Sequence, residues 1–260
     1  MSRWHAYEFP LNERVRTFMR LEHLFARVHR HAEGGDPWDS RAALTGLLEI
    51  LAILGRGDVR SDVLREMERQ SQTLGRLRNR SNVDSARLGN ILESLDKLRG
   101  HLDASEAQVG RSLKSSEFLA ALRQRSAIPG GTCGFDLPSL QNWLAQPAEK
   151  RRMQLDRWLE DLGALDRSLR LVLMLLRESA APTSEVAQSG LFQRTLESGS
   201  SFPLVRVLLD DEDRRPLLMQ LGDQPEHLVD DERGETERRL VEQQKARPRD
   251  ERAGDRQLLR

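Results

Sequence analysis

Ile128-Pro129-Gly130-Gly131-Thr132-Cys133-Gly134-Phe135-Asp136-Leu137-Pro138, entered from Arg123-Gln124-Arg125, is a helix end, a glycine turn and a fresh helix start in that order. Proline and paired glycines cannot continue a helix, and glycine admits positive φ, so the chain must reverse here. Asp136 is then expected to cap a new helix with Pro138 in its first turn. The stretch predicts a rigid corner between two helices, with Arg123 and Arg125 beside it. Glycine-rich turns ahead of helices also cradle anions, which raises a phosphate loop or a nucleophilic Cys133 as alternatives. No Lys-Ser or Lys-Thr pair follows the glycines, no strand-like run precedes them, and Cys133 has no evident base. A structural turn is the better reading.

Upstream, Asn12 is a good N-cap for a helix that runs to about Arg30, with Glu13 near its positive end. Val15, Phe18, Leu21, Leu24, Phe25 and Val28 form its core-facing stripe. On the opposite side Arg16, Arg20, His23, Arg27 and Arg30 gather within roughly 80°, and no carboxylate interrupts them. Like charges four apart cost a few tenths of a kcal/mol, so something should answer the stripe: an acidic partner, carboxylates of neighbouring helices, or solvent. Further helices are expected from Asp39 or Ser40 to Leu54, from Asp58 to Leu77, from Asp84 to Gly100, and around Phe118, Leu119 and Leu122.

Past the corner, the pattern predicts helices over Leu137 to Leu144, Glu149 to Leu159 and Leu162 to Leu176, with Trp143 and Trp158 as core or interface anchors. Gly190 to Leu196 and Phe202 to Leu209 read as strands split by Glu197-Ser198-Gly199-Ser200-Ser201, the pattern of a hairpin. From Asp211 to Arg260 half the residues are charged and none is aromatic, a composition that favours disorder. The expected fold is mainly α: a helical bundle over residues 1–182, a small β-domain or its incomplete remnant over 183–210, and a charged tail over 211–260.

With 41 basic and 41 acidic residues the formal charge is zero, so the chain as a whole does not attract nucleic acid or anionic membrane. The single cysteine excludes an internal disulfide and any multi-cysteine zinc site, and the amino terminus lacks a signal-peptide core. Leu47 to Leu54 and Leu169 to Leu176 fall far short of the roughly 20 apolar residues that span a bilayer. A cytosolic protein without membrane insertion is expected. Among His5, His23, His29, His31, His101 and His227 only His29 and His31 make even a loose metal pair, and no paired-carboxylate signature stands out. These residues carry no catalytic or cofactor motif, and by themselves they support a helical interaction module.

Several motifs point further. Phe9-Pro10-Leu11-Asn12-Glu13-Arg14, Val15-Arg16-Thr17, Arg20-Leu21-Glu22, Arg56-Gly57-Asp58-Val59-Arg60 and the corner from Arg123 to Pro138 together resemble the ZapD family, over roughly residues 6 to 209. The resemblance implies a cytosolic, non-catalytic homodimer that binds the carboxy-terminal tail of FtsZ and bundles its filaments at mid-cell. No cofactor, metal or nucleic acid is expected from the histidine spacing and the zero net charge, and the resemblance marks Arg16 and Arg20 as tail-binding candidates. Arg123 and Arg125 stand in the matching corner motif, where the other role open to them is to satisfy helix carbonyls or internal carboxylates. Glu117 and Gln141 depart from the basic or histidine side chains of relatives, which would make a pocket there less positive. The chain also departs after Leu204-Val205-Arg206-Val207, where relatives continue into further strands; a truncated or frameshifted β-domain, or a lineage-specific tail, is the expectation. The alternative function is a helical module with an unrelated acidic partner, the altered carboxy terminus having removed FtsZ bundling.

Overall fold

The computed structural model describes residues 5–78, 83–104, 109–179, 183–184, 191–194, 203–209 and 218–221. The chain opens on strand β1 (His5–Pro10), which leads directly into helix α1 (Glu13–Ala32). Asn12 caps α1 as its residue type predicts, accepting from the Val15 amide at 2.8 Å. Helices α2 (Pro37–Leu54), α3 (Val59–Gly75), α4 (Ser85–Ala104), α5 (Arg111–Lys114), α6 (Glu117–Ser126) and α7 (Pro138–Leu144) follow, and α8 (Ala148–Ser179) closes the helical part.

Burial explains the arrangement. The α1 stripe of Val15, Phe18, Leu21, Phe25 and Val28 is sealed from solvent against Leu44, Leu47 and Ile50 of α2. The two helices approach closely because Gly46 carries no side chain; a Cβ there would stand 2.5 Å from Val28 Cγ2. Helix α8 packs against α1, α2, α3, α4 and α5 and is the hub of the bundle. At about 2 kcal/mol for each fully buried large apolar side chain, these faces supply most of the driving force.

Residues Glu149 to Leu159 and Leu162 to Leu176, expected as two helices, are one helix of 32 residues. The expected gap fell at Glu160-Asp161, just ahead of Gly163. A mid-helix glycine costs only about 1 kcal/mol, and Leu155, Leu162, Leu169 and Leu176, each 2% exposed or less, keep one buried face in register across it. The short α5 had no counterpart in the sequence pattern.

The strands were placed better than they were paired. Segments β3 (Leu191–Arg194) and β4 (Leu204–Leu209) fall where expected, yet they do not form a hairpin. β4 runs antiparallel to β1, from His5 opposite Leu209 to Pro10 opposite Leu204, and parallel to β2 (Thr183–Ser184). β3 pairs instead with β5 (Leu218–Leu221), a strand inside the stretch expected as a charged tail. The rest of that stretch lies outside the described residues. β1 was unforeseen, because the local turn signal carries no information about a partner that lies almost the whole chain away. Helices α1 to α8 and the β1–β4–β2 sheet lie in one compact unit, Met1–Phe192 with Ser200–Leu218; Gln193–Gly199 with Met219–Arg260 make a second.

An ionic cluster fixes the sheet to the bundle. Glu8 of β1 faces Arg206, its cross-strand partner in β4, at 3.1 Å, and accepts from Arg177 Nε of α8. Arg177 forks onto both carboxylate oxygens of Glu22 in α1 at 2.7 Å, and this bonding, with Glu8 behind it, holds its guanidinium more firmly protonated than an ordinary arginine.

Asp58, the cap of α3, accepts from the Ser61 hydroxyl and from the Ser61 amide at 3.1 Å, bonds that depress its pKa. Asp58→Ala should therefore cost about 1 kcal/mol in a urea melt at neutral pH. The wild-type advantage is present above the ordinary aspartate range and should vanish as pH falls through the depressed value of the folded state.

Candidate functional site

Two basic features predicted from the sequence stand at two places. The first is the amino-terminal half of α1. Pro10 ends β1 opposite Leu204, and the Leu11 amide donates to Pro203 O at 3.0 Å, so the entry to α1 is fixed by the sheet. Against that entry, Pro10, Arg16, Met19, Arg20, His23 and Leu24 line an open hollow of about 330 Å³. Its floor is apolar and its rim carries two guanidinium groups and an imidazole.

The fate of the basic stripe decides what that rim can do. Arg16 pairs with Glu13 one turn below, and Arg27 with Glu49 of α2 at 2.8 Å, so neighbouring carboxylates answer part of the stripe. Arg20, His23 and Arg30 have no ionic partner among the described residues. The Arg16–Glu13 pair is partly solvent-exposed and exchangeable, because exposed pairs of this kind are worth less than about 1 kcal/mol. The hollow is thus suited to an apolar side chain flanked by carboxylates.

The second feature is the corner after α6. The Ile128 amide donates to Arg125 O, the Gly131 amide to Ile128 O, the Cys133 amide to Gly130 O and the Leu137 amide to Cys133 O, all near 3.0 Å. Gly130 takes φ of 75°, the left-handed region that glycine tolerates best, and a Cβ on Gly131 would come within 2.5 Å of Arg125 O. Because the amides of Gly131 and Cys133 are engaged by carbonyls, the turn does not offer them to an anion.

Asp136 does not cap α7, contrary to expectation. The N-cap is Leu137, without a side-chain bond, while Asp136 accepts from the Cys133 thiol at 3.4 Å and lies 3.9 Å from Arg125. Leu137 takes the cap position because Pro138 fills the first helical turn, where a missing N–H costs nothing. Arg123 is exposed and has no ionic partner among the described residues. Neither Arg123 nor Arg125 lines the hollow around Arg16 and Arg20.

Other sequence candidates resolve into structural roles. His29 bonds Asp166 at 2.9 Å and His31 bonds Asp39 at 2.9 Å, so the two imidazoles face different carboxylates. Among the described residues no group of three or more histidine, cysteine, aspartate or glutamate side chains is placed to hold a metal. None of their helices is long and apolar enough to cross a membrane. Trp143 and Trp158 are buried, and both pack on Phe118, with ring centroids 5.9 and 6.0 Å away. Met19 and Pro10 were missed as site residues; the proline directly ahead of the capped helix was the available signal.

Comparison with known proteins agrees with the motifs. The model of the family described as "ZapD: Cell division protein" matches residues 19–216. A Cell division protein ZapD from Methylococcus capsulatus is 39% identical over 201 residues, 77% of this chain and 79% of the relative. Another, from Ralstonia nicotianae, is 40% identical over 205 residues, 79% of this chain and 81% of the relative. One from a Janthinobacterium species is 38% identical over the same shares.

Proposed function

This chain belongs to the ZapD family of cell division proteins, and we propose that it binds the carboxy-terminal tail of FtsZ and cross-links FtsZ filaments into bundles. In this reading it acts as a cytoplasmic homodimer at the mid-cell division site, without catalysis or cofactor. The observation that carries the reading is the apolar hollow rimmed by Arg16, Arg20 and His23, two of which lack an ionic partner among the described residues.

A peptide tail presents carboxylates and apolar side chains in succession, and the hollow offers complements to both. Charge-assisted bonds to a guanidinium contribute roughly 1.5–3 kcal/mol each, enough for a weak, reversible site. Two such sites on a two-fold dimer raise the effective affinity through avidity and hold separate filaments together. Weak individual sites suit a structure that must assemble and disassemble. Arg123 and Arg125 are further candidates of the same reading.

Electron microscopy of FtsZ assembled with GTP tests it. Adding this protein should convert single filaments into bundles, and raising the salt should reverse the effect, since exposed ion pairs are screened within about 10 Å at 0.1 M ionic strength. Filaments that stay single at low salt would count against cross-linking.

A further inference from the structure

The corner and the start of α2 together carry a surface that the basic residues alone do not explain. Trp38 is 76% exposed, Phe135 85% and Ile128 48%; of the other large apolar side chains described, only Met153, at 71%, is comparably exposed. Arg41 joins them: its guanidinium stacks over the Trp38 ring, 5.5 Å from the centroid, and donates to Thr132 O of the corner at 3.4 Å. Arg41 has no carboxylate partner among the described residues; in α6, the helix that leads into the corner, Arg123 has none either, and Arg125 has only Asp136, 3.9 Å away.

We propose that Trp38 and Phe135 are apolar anchors for a partner peptide whose carboxylates meet Arg41 and Arg123. The inference rests on the tail-binding reading above and extends it to a second foothold with named contacts. Three arguments support this occupant. Exposed aromatic side chains beside arginine have the composition of binding hot spots, and isolated surface apolars do not usually cluster on one turn. The surface is also prepared in advance, because the guanidinium holds the Trp38 ring and the turn around Gly130 and Gly131 fixes the segment that bears Phe135, so little freedom is lost on binding. Finally, the charge selects the partner. In an isologous contact with a second copy, Arg41, Arg123 and Arg125 would face one another, whereas an acidic peptide neutralises them.

The test uses the full chain and a synthetic FtsZ carboxy-terminal tail peptide. Trp38→Ser and Phe135→Ser should each weaken peptide binding by about tenfold or more, with unchanged melting, since both side chains are exposed. In a Trp4→Phe background without changes at the corner, acrylamide quenching of Trp38 should fall when peptide is added, because Trp143 and Trp158 are already buried. Tail binding that is equal in wild type and both serine variants, with unprotected Trp38, would overturn the inference and leave the tail-binding reading standing. Absence of peptide binding by the wild type would overturn both. Protection of Trp38 by anionic phosphatidylglycerol vesicles and not by peptide would also overturn it, reassigning the surface to a membrane.

Discussion

Reversing charge at two positions, Arg16→Glu with Arg20→Glu, is expected to reduce FtsZ association by roughly a hundredfold or more, which corresponds to losing two charge-assisted contacts of about 1.5–3 kcal/mol each. Both side chains rim the hollow below Pro10, and Arg20 has no ionic partner within the described protein, so the fold has no use for its charge. Arg16 gives up only its pair with Glu13, and the new carboxylate repels Glu13 by a few tenths of a kcal/mol. The circular-dichroism melt should therefore move little while co-sedimentation is lost. A collapsed melt would mean that the arginines are structural, and unchanged association would place the tail elsewhere.

The largest stability effect is expected at Arg151, one of the few charged side chains buried among those described, at 4% exposure. Its guanidinium donates to Ser40 Oγ at 3.0 Å, Leu144 O at 3.1 Å, Gly35 O at 2.6 Å and Gln146 O. It ties the start of α8 to the end of α7 and to the connection between α1 and α2. Leu144 closes α7, so the cation also meets the negative end of a helix. Arg151→Ala removes the donors from buried carbonyls and leaves a void, for a cost of about 3–5 kcal/mol in a urea melt. That is a large part of the 5–15 kcal/mol typical of whole domains. Arg151→Lys should recover only part of it, because an ammonium cannot reproduce the planar fork.

Arg151 also shows where sequence reading stops. Nothing in Glu149-Lys150-Arg151-Arg152 distinguishes the one cation that turns inward, because the decision is made by carbonyls contributed from Gly35, Leu144 and Gln146. Locally determined features were legible: the cap Asn12, the start of α3 near Asp58 and the apolar face of α1 all follow from side chains within one or two turns. Asp136 was a reasonable cap by residue type, yet with Pro138 opening the helix the cap falls on Leu137. The strand segments at 191–194 and 204–209 could be read, but their pairing with β5 and β1 is a long-range outcome on which a turn signal is silent.

The site divides in the same way. The basic stripe on α1 was visible from helical spacing, but which members remain open depended on Glu49, brought up by α2 to Arg27. Exposure of Trp38 and Phe135 could not be read at all, since an aromatic in a sequence is expected inside until packing says otherwise.

The most direct test of the central claim is co-sedimentation of the purified protein with GTP-assembled FtsZ, comparing intact FtsZ with FtsZ lacking its carboxy-terminal tail. The account predicts that the protein pellets with intact filaments and stays in the supernatant when the tail is removed. Equal pelleting with both forms, or pelleting with neither, would contradict it.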